Sequence, residues 1–409
     1  MAVNETQALA YSRGFDSRIA AVVSEAARRV PVFATRLADS GLAPGDVDSV
    51  AALDRLAILR KDELVELQSA SPPFGGLLAP DATVRRIFQS PGPLYEPELG
   101  VDDPWGWTPA LRAAGFGPDD LVLNAFGYHL TPAGAMLEQA AFTLGARVVP
   151  GGVGSLELQA RACRDLAITA YVGLPSYLKA LLERADELGL DPAGWALERA
   201  FVSAEPLPPS LRAWLEERLA VVQQGYGTAE AGNLGYECEC REGLHLPLDR
   251  LVQVCDLTTG SALWGGEEGE VVVTLLSADY PLVRFGTGDI SAMLADPCPC
   301  GNPAPRIAGW LGRSGEAVKV RGLFLHPRQA RSALAGVPGL DAFRLVVERV
   351  DHRDVLRCEI LPASRGDVES VTTNVREQIR AGLRFDAEVS VVDELDPAAP
   401  AIVDLRVWD

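Results

Sequence analysis

Three segments of this chain carry polar and charged side chains at spacings suited to a phosphate-bearing ligand. Tyr226-Gly-Thr-Ala-Glu230 follows the apolar run Val221–Gln224, which reads as a strand. A hydroxyl and a carboxylate at a strand end of a parallel sheet suit a phosphate and its magnesium; the alternative is an ordinary glycine turn. Tyr280-Pro-Leu-Val-Arg284-Phe-Gly-Thr-Gly-Asp289 brings two glycines that let backbone approach a ligand closely. Its Asp289 suits the paired hydroxyls of a ribose and its Arg284 a phosphate; the alternative is a hairpin turn with a surface ion pair. Gly312-Arg-Ser-Gly-Glu-Ala-Val-Lys-Val-Arg-Gly322 reads by itself as a linker and a solvated strand. His129 stands at the end of the apolar run Leu121–Phe126, before a Thr-Pro turn. That place favours a functional histidine over one satisfied in the core.

A second chemistry is written in sulfur. Of seven cysteines, four sit in Cys238-Glu-Cys240 and Cys298-Pro-Cys300, with His245 between the pairs. Close cysteine pairs in a large intracellular chain point to metal before disulfide. A structural zinc takes four nitrogen or sulfur ligands and leaves no open position. The alternative is a set of free thiols.

The elements that must position these residues alternate. Helices are expected at 104–115, 133–144, 155–165, 175–189 and 208–219, each before a short apolar strand: Leu121–Phe126, Ala146–Pro150, Ile168–Gly173, Arg199–Val202 and Val221–Gln224. This is the pattern of βαβ units around a parallel sheet, whose ligands sit beyond the carboxyl ends of strands. The loops after Phe126, Val202 and Gln224 are therefore the informative ones. Residues 1–70 read as helical, broken near Pro44–Asp46. After a strand at Val84–Phe88, the prolines of Gln89-Ser-Pro-Gly-Pro-Leu-Tyr-Glu-Pro97 predict an ordered loop. Beyond 235, strands at Leu251–Val254, Gly269–Leu276 and Leu282–Phe285 suggest a β subdomain reaching about residue 311. From 312 to 409, strand 316–320, helix 327–336, strands 342–349 and 355–361, helix 367–382 and strand 387–393 follow the β-α-β-β-α-β order of a small ferredoxin-like domain. The fold class is α/β: a large N-terminal domain, 1–311, with mainly parallel sheets plus the β subdomain, and a small α+β C-terminal domain, 312–409.

Composition narrows the partners. The 409 residues carry a formal net charge of −19, and only three of the 37 basic residues are lysines, Lys61, Lys179 and Lys319. Such acidity argues against general nucleic-acid binding and against docking on an anionic membrane. No apolar run long enough to span a bilayer and no secretory leader is read, so a cytoplasmic location is expected.

Taken in order, these segments resemble the phenylacetate-CoA ligase family of the adenylate-forming enzymes. The likeness, from roughly 80 to 395, also rests on Ala125-Phe-Gly-Tyr-His-Leu-Thr-Pro-Ala-Gly134, Gly173-Leu-Pro-Ser-Tyr177, Ser203-Ala-Glu-Pro206, Cys298-Pro-Cys-Gly301 and Val318-Lys-Val-Arg-Gly322. The resemblance implies a two-step reaction. A carboxylate attacks the α-phosphate of ATP to give an acyl-adenylate and pyrophosphate, coenzyme A then displaces AMP, and the C-terminal domain rotates between the steps. By motif position, Tyr226 and Gly227 lie at adenine with Ser203, Ala204 and Glu205. Glu230 holds Mg2+ with Thr228 beside it in the catalytic set, Asp289 binds ribose, and Arg313 follows the nucleotide. His129 lies between acyl pocket and thiol tunnel with Phe126 and Tyr128 nearby, and Arg321 belongs to the catalytic set. The resemblance also selects Cys238 over Cys240 to join His245, Cys298 and Cys300 on zinc. The substrate implied is a small, aromatic carboxylic acid; a homodimer is compatible, and an amine or a carrier-protein thiol is a rival acceptor.

Three departures from the family pattern stand out. The phosphate loop, 89–97, has neither lysine nor threonine; Ala229 stands where a hydroxyl residue precedes the motif glutamate; and the C-terminal Gly-Lys is replaced by Asp396-Pro-Ala-Ala-Pro400, with Arg406 the nearest cation. They support a third reading, a non-catalytic homologue that binds nucleotide or acyl-CoA.

Overall fold

In a computed structural model, the chain is described at residues 5–90, 94–314, 318–321, 323–325, 327–364, 368–396 and 399–407. The Pro91–Pro93 part of the proline-rich loop, the beginning of the expected strand 316–320, Gly322 and the beginning of the expected helix 367–382 lie outside the described residues.

The chain divides into two compact units, Met1–Leu207 with Arg212–Ser314, and Gly315–Asp409 with Pro208–Leu211. The division falls after Ser314 rather than at 311. The reason is a short strand, Gly312–Arg313, that pairs with Asp289 and Ile290 and keeps those residues with the first unit.

The larger unit holds an eight-stranded sheet whose five strands Arg147–Pro150, Leu121–Asn124, Ala170–Gly173, Arg199–Val202 and Val221–Thr228 are mutually parallel. Between them run the helices Ala133–Thr143, Leu156–Asp165, Pro175–Glu187 and Pro209–Glu216. Strands this short and this apolar bury both faces, with Val122, Val172 and Phe201 inaccessible to solvent. The last parallel strand does not stop at Gln224. It continues to Thr228 and turns back through Gly232–Tyr236, so Tyr226 and Thr228 lie on a strand extension with a register shift between Tyr226 and Gly227. Leu244–His245 and Arg306–Ile307 complete that sheet antiparallel.

A five-stranded antiparallel sheet forms the rest, in the order Ala262–Leu263, Arg250–Cys255, Glu268–Leu275, Phe285–Ala292, Gly312–Arg313. The expected strand Leu282–Phe285 is corrected: pairing begins at Phe285, because Arg284 takes a left-handed backbone (φ +51°) that ends the extended run. The N-terminal helices cover this sheet, with Ile19, Val23, Phe33 and Leu53 packed in one core with Val252, Val271, Val273 and Phe285. The proline-rich loop is shorter than its prolines suggest. Tyr95–Leu99 is a strand paired with Val84–Gln89. Both strands of this ribbon are edge strands, the setting in which proline is tolerated.

The smaller unit keeps the expected order of elements and amends their pairing. Its sheet runs Ala387–Val391, Arg353–Pro362, Leu340–Val350, Ile402–Asp404, a central hairpin flanked by parallel strands. Val318–Val320, placed first in the ferredoxin-like reading, instead pairs with Leu323–Leu325 in a separate hairpin, and Ile402–Asp404 takes the edge beside Leu340–Val350.

Candidate active site

Asp289 is the centre of the first cluster. It is buried, and both its oxygens are engaged. The Tyr226 hydroxyl donates to Oδ2 at 2.9 Å, the Trp310 indole N–H donates to Oδ1 at 3.1 Å, and Arg313 Nε lies 3.0 Å from Oδ1. Register brings this about: Asp289 and Arg313 are direct partners on adjacent strands. Tyr226 reaches over from the other sheet, so one phenol ties the two sheets together. Burial, then the charge of Asp289, holds the Tyr226 hydroxyl well above its usual range, which keeps it a donor.

The segment Ser203–Glu205 follows Arg199–Val202, the strand paired beside the one that carries Tyr226. Ser203 donates to the Gly225 carbonyl at 2.8 Å, Ser176 donates to Glu205 at 2.6 Å, and Ala204 turns through a left-handed φ of +69°. A side chain at Gly227 would meet the Gly232 carbonyl and the Trp107 ring, so the close return of this hairpin requires glycine there.

Glu230 is the centre of the second cluster. It is buried and ion-paired to Lys61, the first residue of the helix Lys61–Ala70. Burial favours its neutral form. The Lys61 charge, with hydrogen bonds from Lys61, its own backbone and Thr228, outweighs burial and holds its carboxyl below the ordinary range. Glu96 faces the same pocket from Tyr95–Leu99. It is 2% exposed, its Oε1 has no hydrogen-bond partner, and burial followed by the Glu230 charge raises its carboxyl well above the usual range. Tyr280 is buried beside both carboxylates.

Lys61, Glu96 and Trp310 were not among the residues singled out from the sequence. Lys61 had one signal, its rarity: it is one of three lysines in an arginine-rich chain. Glu96 had none, because only folding makes it a buried charge.

The structure spends two arginines on protein partners, and the expectation that Arg284 meets a phosphate is corrected. Arg284 does not face a ligand. It is 1% exposed, and its guanidinium donates to the Leu53 carbonyl (2.6 Å), to Asp54 (3.0 Å) and to the Gly260 carbonyl. It is the bolt that fastens the helical N-terminus to the antiparallel sheet. Arg406, the nearest cation to the missing lysine, is held by Asp404 (2.6 and 2.8 Å) and by Asp354 (2.8 Å) with its side chain 3% exposed. Arg321, in the smaller unit, is exposed and left-handed (φ +48°), its backbone N–H on Asp354 Oδ2 and its Nε–H on the Asp354 carbonyl.

His129 is exposed and follows Tyr128, whose hydroxyl donates to Glu138 at 3.0 Å and accepts from Asn124 at 2.8 Å. Burial and the Glu138 charge raise the Tyr128 phenol far above its usual range. Phe126 is buried in the core of the parallel sheet. The Gln89 N–H donates to the Leu130 carbonyl at 2.7 Å, which joins this loop to the base of the proline-rich one.

The sulfur residues converge as well. Cys238, His245, Cys298 and Cys300 bring their ligand atoms within 4.8 Å of one another. Cys238 Sγ lies 3.5 Å from Cys298 Sγ, and Cys300 Sγ lies 3.3 Å from His245 Nε2. Two thiolates on a tetrahedral zinc stand about 3.8 Å apart. His245 is wholly buried and its Nδ1 lies 3.0 Å from the Ala304 carbonyl, which leaves Nε2 to carry the lone pair toward the thiols. The set fits a closed, structural ion.

The model of the AMP-binding enzyme family matches residues 108–275. A phenylacetate-coenzyme A ligase of Thermus thermophilus is 30% identical over 353 residues, covering 82% of this chain and 77% of its own. The chain belongs to the phenylacetate-CoA ligase family. A family member from Aromatoleum evansii is 28% identical over 91% of this chain and 88% of its own. Among solved structures, a 2-hydroxyisobutyryl-CoA ligase in complex with 2-HIB-AMP and CoA superposes with a TM-score of 0.90 at 23% identity, covering 98% of this chain and 90% of its own. This member of the phenylacetate-CoA ligase family thus has the fold of the adenylate-forming, acyl-CoA ligase-like enzymes. It is a divergent member, with no lysine at 89–97 or after Lys319.

Proposed function

We propose that the chain activates a small, aromatic carboxylic acid with ATP as its acyl-adenylate and passes the acyl group to the thiol of coenzyme A. The observation that carries this reading is the convergence on Asp289. Tyr226, 63 residues away in the chain, and the neighbouring Trp310 and Arg313 meet one buried carboxylate suited to the ribose hydroxyls of AMP. Ser203, Ala204, Glu205 and Gly227 border the adenine, and Glu230 with Thr228 serves Mg2+. His129, exposed and close in sequence to Phe126 and Tyr128, serves between the acyl pocket and the thiol tunnel, with Arg321 in the catalytic set. Cys238, His245, Cys298 and Cys300 hold a structural Zn2+ that leaves no open position for substrate. The aromatic class of acid rests on the relatives' names. Lys61 supplies an ammonium at the phosphate end, in a family whose usual cation is missing from the tail. Such chemistry needs charge neutralisation and alignment rather than a protein nucleophile.

The test is ATP–pyrophosphate exchange over a panel of aryl and arylacetic acids, with thioester formation then measured on coenzyme A, an amine and a carrier-protein thiol. Exchange with an aromatic acid followed by thioester with coenzyme A is expected. Exchange with acyl transfer to amine or carrier only would reassign the acceptor.

One observation favours a second reading. Arg406 is locked between Asp354 and Asp404 and so is not a tail cation held free for adenylation. In that reading the protein binds AMP or acyl-CoA without turnover. Nucleotide binding by calorimetry with no exchange for any acid would establish it.

A further inference from the structure

Two buried carboxyl groups, Glu230 and Glu96, share the charge of one ammonium, and burial with the Glu230 charge holds Glu96 toward its neutral form, the state of a carboxyl that lacks a facing cation. Glu230 and Glu96 are both buried, Glu230 in the turn after Val221–Thr228 and Glu96 on the strand Tyr95–Leu99, and Lys61 pairs with Glu230 while its charge also acts on Glu96. Glu96 Oε1 has no hydrogen-bond partner although the residue is only 2% exposed. A buried carboxylate oxygen without a donor is costly unless a cation faces it.

We propose that Glu96 and Glu230 together form a divalent-cation site that loads in the absence of nucleotide, with the Lys61 ammonium standing in for the ion when none is bound. The proposal deepens the functional reading above, since it gives the magnesium of that reading a second protein ligand, Glu96. The chemistry of the donors is hard oxygen, which suits Mg2+ or Mn2+ and not the zinc of the thiol cluster. Two carboxylates balance one divalent ion once the ammonium withdraws. Lys61 is able to withdraw because it opens its helix and is 23% exposed, whereas both carboxylates are enclosed. A site that loads first would hold the metal ready for incoming phosphates and compensate for the absent loop lysine.

The experiment is Mn2+ titration of the full-length, nucleotide-free protein, followed by the loss of the free-ion electron paramagnetic resonance signal. One Mn2+ per chain is expected. Glu96→Gln and Glu230→Gln should each weaken binding by about tenfold or more, and Lys61→Met should tighten it, because the competing ammonium is gone. Wild-type protein that takes up no Mn2+ without nucleotide would overturn the proposal, as would a Glu96→Gln protein that binds like wild type. Weaker binding in Lys61→Met would remove Lys61 as the stand-in and overturn that part. Glu96→Asp, which keeps the charge and shortens the reach, serves if the glutamine variant fails to fold, and should lie between the two. The readout needs no acid, ATP or coenzyme A, so Mn2+ binding without pyrophosphate exchange would sink the functional reading and leave this site standing, and the reverse result would do the opposite.

Discussion

A carboxylate is worth what surrounds it, and Asp289 is surrounded by an arginine, a phenol and an indole N–H. Asp289→Asn keeps the shape and removes the charge that holds Arg313. Losing charge-assisted hydrogen bonds of this kind costs about 1.5–3 kcal/mol. Titration calorimetry should therefore show AMP affinity reduced by about ten- to a hundredfold, with the fold intact by circular dichroism. Arg284 is the contrasting case. Its motif neighbours bind ligand in the reading from sequence, yet its guanidinium is spent on Leu53, Asp54 and Gly260. Arg284→Met should lower unfolding free energy by about 3 kcal/mol, the order expected when a buried charged hydrogen-bonding group is removed. Nucleotide affinity in the same calorimeter should stay within about twofold of wild type. A large loss of affinity with unchanged stability would return Arg284 to the ligand. The motif text is the same for both residues; only the partner list separates a binding residue from a bolt.

At the scale of elements, local pattern and pairing part company. The βαβ run was legible because a strand buried on both faces must be apolar throughout and its helices must be amphipathic, as in Ala170–Gly173 and Pro175–Glu187. Less legible was the extension of Val221 to Thr228, since Gly225 and Gly227 break the apolar signal while remaining in the ladder. The tail strand Ile402–Asp404 was not anticipated at all. It is three residues long, and its pairing with Leu345–Val347 is what sets Arg406 on Asp354. Arg406→Ala leaves Asp354, 3% exposed, with one cation fewer in a buried network that also includes Arg349 and Arg321. The smaller unit should lose about 3–5 kcal/mol, read as a lower midpoint in denaturant unfolding. Pyrophosphate exchange measured well below that midpoint should persist; its abolition there would instead make Arg406 the adenylation cation.

At the scale of the whole molecule, the thiol cluster links segments some sixty residues apart and so staples the antiparallel end of the large sheet. Purified protein should carry about one zinc per chain by elemental analysis, and a strong chelator should lower the unfolding temperature by several degrees. Less than half an equivalent of metal, with no response to chelator, would make these free thiols. Among the described residues no helix is long and apolar enough to cross a membrane. By itself the sequence determined the alternation that builds the parallel sheet. It also determined which residues are candidates for a nucleotide, Tyr226, Glu230 and Asp289, and which for a metal, Cys238, His245, Cys298 and Cys300. Periodicity and side-chain chemistry are local properties, and they survive being read one window at a time. The tertiary structure alone decided where the charges are spent. Arg284 meets Asp54 across 230 residues of chain, Lys61 meets Glu230, Arg406 meets Asp354, and Glu96 is left without a hydrogen bond at Oε1. A buried charge is set by whatever the fold brings against it, and contacts at that separation leave no trace in spacing.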